Sequence, residues 1–131
     1  MTYRILVIDS NRSALVYYQH VLQAEGYGIE IGPFATESWQ EIERASPDLI
    51  IFDLLVDIEQ ERQAWHLTQQ LHASVLTASI PLLVCIAAFL LPSFALFLQE
   101  THIPILFKPF GQTELRRKLL SLLLPTPEQS S

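Results

Sequence analysis

Three charged side chains that each directly follow an apolar run are the residues best placed for chemistry in this chain. Asp53 follows the run Leu-Ile-Ile-Phe at positions 49–52, Asp9 follows Ile-Leu-Val-Ile at positions 5–8, and Lys108 follows a third run. Two carboxylates brought together would suit a hard cation such as Mg²⁺, and a lysine beside them could neutralise a phosphoryl group or simply pair with an acid. An aspartate that ends a strand can also do no more than cap a turn, and position alone does not separate these possibilities.

Apolar runs and helical patterns alternate along the chain five times. Strand-like apolar runs occupy residues 3–8, 28–34, 49–52, 82–87 and 103–107. Apolar residues recur at helical spacing in residues 14–22, 38–46, 57–75, 89–101 and 115–123. This alternation predicts a parallel sheet with right-handed crossovers. We therefore expect an α/β protein with a flavodoxin-like doubly wound fold, in which five parallel strands in the order 2-1-3-4-5 are covered by five helices.

That strand order determines where the charged side chains should meet. The first and third strands become neighbours at the point where the order reverses, so Asp9 and Asp53 should face each other across the crevice at the carboxyl ends of the strands. Lys108 ends the fifth strand and can reach the same crevice. The chain has 131 residues, of which half are apolar, and this is the size of one domain. We expect that domain to span residues 3–124 and a polar tail to follow at residues 125–131.

Two of the helical patterns also predict which side chains face the core. The first pattern turns Tyr18 toward the core, at helical spacing with its apolar neighbours. The third pattern carries one apolar stripe, formed by Ala64, Leu67, Leu71 and Val75.

Composition excludes several classes of function. The net charge of −6 leaves no broad basic surface, and the only basic cluster, at residues 116–118, is short, so we expect no direct nucleic-acid binding. The single cysteine, Cys85, rules out an intramolecular disulfide and is consistent with a reducing compartment. The chain enters a strand-like segment directly after Met1, without a signal-peptide pattern. These features predict a cytoplasmic protein.

One long uncharged stretch favours a different interpretation. No Asp, Glu, Lys or Arg occurs in residues 73–99, and residues 80–98 alone are apolar enough to suggest a membrane span. Pro81 and Pro92 divide the stretch, however, and the segments on either side continue the same alternation of strands and helices. We therefore expect a helix end, a buried strand and a short helix here, and no membrane association.

Four segments together resemble, in order and spacing, the receiver domain of bacterial two-component response regulators. They are residues 5–9, 47–54, 80–83 and 108–110. The Lys-Pro-Phe element at 108–110 and the spacing between Asp53 and Lys108 are fairly specific to the family. The resemblance implies a domain that is not itself an enzyme. It would receive a phosphoryl group from a histidine kinase or a phosphotransfer protein and then change what it binds.

The resemblance also assigns roles to individual residues. Asp53 would be the phospho-acceptor, and Lys108 would pair with the phosphoryl group. Asp9, Asp53 and the main-chain carbonyl of Leu55 would bind Mg²⁺. The resemblance further implies a cis peptide bond before Pro109.

Several positions depart from the receiver pattern. Ser10 stands where the family has a second acid, and because a hydroxyl is a poor replacement for a carboxylate, we expect weak Mg²⁺ binding or none. At the two switch positions, Ile86 replaces the Ser or Thr that contacts the phosphoryl group, and Ile105 replaces an aromatic residue. Asp57 and Glu61 replace the Pro and Gly that usually follow the acceptor.

Two functions remain open from these observations. The chain could accept phosphate at Asp53 with attenuated Mg²⁺ and phosphate chemistry, or it could be a pseudo-receiver that binds proteins without phosphorylation. The family commonly pairs through its fourth helix, fifth strand and fifth helix. Because residues 89–98 are almost entirely apolar, we expect a homodimer or a partner on that face. The alternative is that this helix is buried within the monomer.

Overall fold

The computed structural model of the chain describes residues 2–8, 12–32, 38–54, 58–86 and 92–124. Five strands and five helices alternate in these ranges: β1 (Arg4–Ile8), α1 (Arg12–Ala24), β2 (Gly28–Gly32), α2 (Ser38–Ala45), β3 (Leu49–Leu54), α3 (Ile58–Ala73), β4 (Leu82–Ile86), α4 (Pro92–Glu100), β5 (Ile105–Phe107) and α5 (Gln112–Leu123). The predicted tail, residues 125–131, lies outside the described residues.

The five strands form one parallel sheet in the order β2-β1-β3-β4-β5. β1 and β3 are neighbours at its centre, and Ile8 at the end of β1 lies opposite Phe52. Every residue of β3 is buried, as expected for a strand that helices cover on both faces. The predicted fold class and strand order are therefore confirmed.

Side chains alternate between the two faces of the sheet and form two separate cores. In β3, Leu49 and Ile51 point into the core beneath α1 and α5, whereas Ile50, Phe52 and Leu54 point into the core beneath α2, α3 and α4. Alternation along a strand therefore directs Asp53 toward α1 and α5, on the same side as Leu49 and Ile51. Burial of the apolar side chains on both faces holds the strand, and with it Asp53, in a fixed position.

α3 ends earlier than its apolar pattern predicted. The helix stops at Ala73, and Val75, which was predicted to face the core, is 92% exposed in the following turn. Thr77 is the buried residue of this turn, and its hydroxyl donates a 2.6 Å hydrogen bond to the carbonyl of Leu71. A side-chain hydrogen bond of this kind offers the backbone an alternative to further helix. The prediction for Val75 was wrong for this reason.

β5 is shorter than the predicted run of residues 103–107. Pro104 has no N–H group to donate, although its carbonyl accepts a 3.1 Å hydrogen bond from the amide of Val84. His102 adopts a left-handed conformation with φ of 59°, and Ile103 is buried without belonging to the strand. Regular pairing with β4 therefore begins only after the proline, at Ile105.

The long uncharged stretch is divided between β4 and α4. α4 has nine residues and begins at Pro92, a position where the missing N–H of proline costs nothing. The predicted start of this helix, at residue 89, lies outside the described residues. None of the helices in the described ranges is both long and apolar enough to cross a membrane.

Candidate functional site

Asp53 lies near the carboxyl end of the central strand and is almost completely buried. It is 1% exposed and pairs in register with Cys85 of β4. A carboxylate in such a position loses most of its contact with water, so it needs hydrogen-bond donors or a cation beside it. Among the described residues, the structure provides a partner for each of its two oxygens.

Lys108 supplies the first partner. Its Nζ donates to Asp53 Oδ1 in an ion pair and lies 3.5 Å from the carbonyl oxygen of Leu54. The backbone amide of Lys108 donates a 2.8 Å hydrogen bond to the carbonyl of Ile86, which ties the lysine to the end of β4. The side chain of Lys108 is 24% exposed, whereas that of Asp53 is 2% exposed, so the pair has its ammonium on the solvent side. The predicted juxtaposition of Asp53 and Lys108 is therefore present in the structure.

The chain after Lys108 is shaped by a cis peptide bond to Pro109. Gly111 is the N-terminal cap of α5. Its amide donates a 3.0 Å hydrogen bond to Oε1 of Glu114, and its carbonyl accepts a 3.1 Å hydrogen bond from the amide of Leu115. The contact with Glu114 satisfies the amide at the start of the helix and fixes the path of the chain from Lys108 into α5.

Tyr18 supplies the second partner of Asp53, and the sequence did not predict this role. Its hydroxyl, on α1, donates to Asp53 Oδ2, and the whole residue is only 2% exposed. Burial raises the pKa of the Tyr18 phenol far above its ordinary value, and the nearby Cys85 and Asp53 add to the rise. The phenol therefore remains a hydrogen-bond donor to the carboxylate at any physiological pH.

One signal in the sequence could have pointed to Tyr18. The helical pattern correctly turned its ring into the core, but a buried tyrosine hydroxyl usually requires a polar partner. Asp53, an acid at the end of a run predicted to be covered on both faces, was a candidate for that partner, but the sequence does not show which face of the sheet α1 covers.

Aromatic rings surround this pair and form an open cleft. The ring centroids of Tyr17 and Tyr18 are 5.5 Å apart at 74°, and each of these rings lies 6.4 Å from that of Phe110. The cleft has a volume of about 330 Å³ and is lined by Tyr17, Tyr18, Asp53, Lys108, Pro109 and Phe110. Its size and its single cation suit a small anionic group better than a large cofactor.

The other predicted ligands of Mg²⁺, Asp9, Ser10 and the carbonyl of Leu55, lie outside the described residues. Within the described ranges, no group of three or more His, Cys, Asp or Glu side chains could hold a metal ion. Mg²⁺ in proteins is commonly held by one or two carboxylates together with water. Asp53 could be one of these carboxylates, but the ammonium group of Lys108 on its Oδ1 opposes a second cation nearby.

The two switch positions contain buried or half-buried isoleucines. Ile86 at the end of β4 is fully buried, and Ile105 on β5 packs against the core beneath α4. Neither side chain has a hydrogen-bonding group or a ring. Of the two residues that replace the usual Pro and Gly, Asp57 lies outside the described residues and Glu61 is buried in the first turn of α3.

Comparisons with known proteins give structural matches only. No protein-family model matches the sequence, and no curated protein does. Among solved structures, a CheY-like response regulator receiver domain protein from Methanospirillum hungatei JF-1 is similar, with a TM-score of 0.76 and 24% sequence identity over 94% of each chain.

Two receiver domains of histidine kinases are also similar. One, from a signal transduction histidine kinase of Syntrophus aciditrophicus, has a TM-score of 0.78 and 20% identity over 96% of this chain and 93% of that chain. The other, from a sensor histidine kinase of Pseudomonas aeruginosa PAO1, has a TM-score of 0.74 and 21% identity over 94% of this chain and 98% of that chain. That structure is described with a magnesium ion coordinated in its active-site cleft. At these identities the similarity concerns the fold.

Proposed function

We propose that this chain, which has the fold of response regulator receiver domains, is itself a receiver spanning residues 3–124 that accepts a phosphoryl group on Asp53. One observation carries the proposal. Asp53 is the buried carboxylate at the carboxyl end of the central strand, and a partly exposed lysine is paired with it at the mouth of a small cleft. Ligands of open α/β sheets bind at this end of the strands.

The chemistry follows from the two side chains. An oxygen of Asp53 would supply the electron pair of a new O–P bond, while the bond from phosphorus to the donor's leaving group breaks and that group leaves with its electrons. Lys108 would stay beside the product and offset the charge of the phosphoryl oxygens. In a phosphorelay, the donor would be a histidine kinase or a phosphotransfer protein of the cytoplasm. The chain would then act by changing its protein contacts, and not as an enzyme with its own product.

Mg²⁺, where it binds, would offset further charge on the phosphoryl oxygens. Asp9, Asp53 and the carbonyl of Leu55 would hold it, and Ser10 would contribute little. We therefore propose attenuated metal chemistry.

A pseudo-receiver is the second candidate function, and the switch positions favour it. Ile86 is fully buried at the end of β4 and can donate no hydrogen bond to a phosphoryl oxygen. Ile105 provides no ring that could take two positions. Because a ligand shifts a conformational equilibrium only through its different affinity for the two states, phosphorylation should move α4 and β5 little.

Phosphoramidate, a small phospho-donor, separates the two candidates. We expect the chain, incubated with phosphoramidate and Mg²⁺, to gain the mass of one phosphoryl group, which peptide mapping should assign to Asp53. Asp53→Asn should gain none, because an amide is not a nucleophile for this reaction. A wild-type chain that stays unmodified at saturating donor would favour the pseudo-receiver, and label that persists in Asp53→Asn would contradict the assignment of Asp53.

The weak metal site leads to a second expectation. Replacing Ser10 with aspartate should tighten Mg²⁺ binding by about tenfold or more, because a hard cation gains a charged oxygen ligand. Isothermal titration with MgCl₂ measures the change, and Ser79→Asp, at an exposed position of the turn after α3, is a control for added negative charge. Equal affinities of Ser10→Asp and the wild type would show that Ser10 does not belong to the metal site.

We also propose that two copies of the chain associate through α4, β5 and α5. Each of these elements carries a large apolar side chain on the surface: Leu96 is 54% exposed, Phe107 is 58% exposed and Leu120 is 41% exposed. The core-facing side of α4 is nevertheless buried, through Phe94 and Leu98. The helix is thus apolar on both sides, and only one of these sides is covered in the monomer.

Light scattering tests this association. We expect a concentration-dependent dimer, and Leu96→Glu should weaken it by at least about tenfold because a charge would be buried in the interface. Val75→Glu is the matched control, since Val75 is also exposed and apolar but lies after α3. A strict monomer at high concentration, or equal weakening by both substitutions, would contradict the proposed face.

A further inference from the structure

In the proposed function Asp53 is the phospho-acceptor. The phenol of Tyr18 is hydrogen-bonded to one of the two oxygens of its carboxylate. Tyr18 Oη donates to Asp53 Oδ2, while Lys108 Nζ is bound to Oδ1. The lysine is on the solvent side of the pair, whereas Tyr18 approaches from the core. Tyr18 and Lys108 both line the cleft beside Asp53, so each oxygen of the unmodified acid has a hydrogen-bond donor at this cleft.

Tyr18 has little freedom to leave this position. It is 2% exposed, and its ring packs edge-on against Tyr17 and in a tilted contact with Phe110. Its backbone belongs to α1, whose residues Val21 and Leu22 are buried in the same core. The hydroxyl is thus held on Asp53 by packing of the ring and of the helix.

We propose that Tyr18 is a positioning residue that stabilises the unmodified carboxylate of Asp53 and thereby opposes its phosphorylation. The inference rests on the proposed function. Its physical basis is the difference between a carboxylate and an acyl phosphate as hydrogen-bond acceptors. A hydrogen bond to an ionised oxygen is about twice as strong as one to a neutral oxygen.

The hydrogen bond from Tyr18 opposes phosphorylation whichever of the two oxygens of Asp53 reacts. When the phosphoryl group forms on Oδ1, beside Lys108, Oδ2 becomes the carbonyl oxygen of a mixed anhydride and loses its share of the negative charge. The hydrogen bond from Tyr18 is then weaker than before. When the group forms on Oδ2, the phenol loses its acceptor or must move within a packed core. In both cases the unmodified state keeps the stronger contact, and the same contact stabilises the carboxylate when it leaves during hydrolysis.

The step itself needs no further reactant than the phospho-donor. With phosphoramidate, an oxygen of Asp53 supplies the electron pair of the new O–P bond. The P–N bond breaks, and ammonia leaves with the electrons of that bond and the protons that its nitrogen already carries. Tyr18 keeps its proton throughout, so removing its hydroxyl changes the stability of the carboxylate without removing a reacting atom.

Tyr18→Phe tests the inference because it deletes the hydroxyl and keeps the ring. At a phosphoramidate concentration that labels only a small fraction of the wild type, we expect the steady-state labelling of Asp53 in Tyr18→Phe to be at least about fivefold greater, since a charge-assisted hydrogen bond is replaced by none. The acyl phosphate, isolated from the donor, should also hydrolyse several-fold more slowly. Tyr27→Phe is the control, because it removes a hydroxyl from a partly buried tyrosine that does not line the cleft.

The possible outcomes separate this inference from the proposed function. Greater labelling and a longer lifetime in Tyr18→Phe support the inference, and labelling of Tyr18→Phe alone supports it most strongly. Equal labelling and equal lifetimes in the two proteins would overturn the inference and leave the proposed function intact. Absence of label from both proteins would overturn both. Urea unfolding monitored by tryptophan fluorescence verifies that Tyr18→Phe is folded under the conditions of the assay.

Discussion

Replacing Lys108 with methionine should lower the free energy of unfolding by about 3 kcal/mol at neutral pH. The reason is the burial of Asp53, whose carboxylate would lose the ammonium group that now contacts its Oδ1. Methionine keeps an unbranched apolar stem of similar length, so the loss of packing is small. The expected effect is at the lower end of what broken buried ion pairs cost, because the side chain of Lys108 is itself partly exposed. Urea titration of the two proteins measures the difference.

Measuring the effect of Lys108→Met in the Asp53→Asn protein as well completes a double-mutant cycle. In Asp53→Asn the buried charge is absent, so Lys108→Met should there cost less than about 1 kcal/mol. The difference between the two costs is the coupling between the ammonium and the carboxylate. Equal losses in both backgrounds would show that Lys108 stabilises the fold through its stem, and would contradict the electrostatic account of the site.

Replacing Phe94 with alanine should have a comparable or larger effect, of about 3 to 5 kcal/mol. Phe94 lies on the core-facing side of α4 and is fully buried. Its ring stacks on that of Trp65 in α3, with ring centroids 5.8 Å apart and planes at 16°. The substitution would remove the buried aromatic surface and leave a cavity between α4 and α3, which the packed core can fill only in part. Urea unfolding measures the loss of stability.

Phe107→Ala is the matched control for this cavity. Phe107 is also a phenylalanine on the same side of the sheet, but it is 58% exposed, so its truncation should cost well under half as much. The native fluorescence of Phe94→Ala should also shift to longer wavelength as the indole of Trp65 loses its neighbour. Similar losses for Phe94 and Phe107 would mean that α4 is not packed on the core as described.

The fold could be predicted from the sequence because its strongest signals are independent of tertiary contacts. The all-apolar run of β3 requires cover on both faces, and five strand and helix alternations leave few topologies. The errors occurred where a local hydrogen bond or a missing donor overrode the apolar pattern. Thr77 ended α3 before Val75, and Pro104 delayed the start of β5.

The candidate site was predictable to a smaller extent. Asp53 and Lys108 could be found because each follows an apolar run, and parallel strands place their carboxyl ends at one edge. Tyr18 could not be assigned in the same way, because its contact depends on which face of β3 carries Asp53 and on how α1 packs over that face. Neither fact is contained in the spacing of residues along one element.

The division of the interior by the sheet gives this protein two compartments that can be engineered separately. Tyr18 and the register partner of Asp53, Cys85, belong to the core beneath α1 and α5, whereas Phe94 and Leu98 belong to the opposite core. Substitutions that share no neighbours usually have additive effects on stability. Consensus or cavity-filling changes beneath α3 and α4 could therefore raise the thermal tolerance of the chain while the surroundings of its buried acid stay as they are.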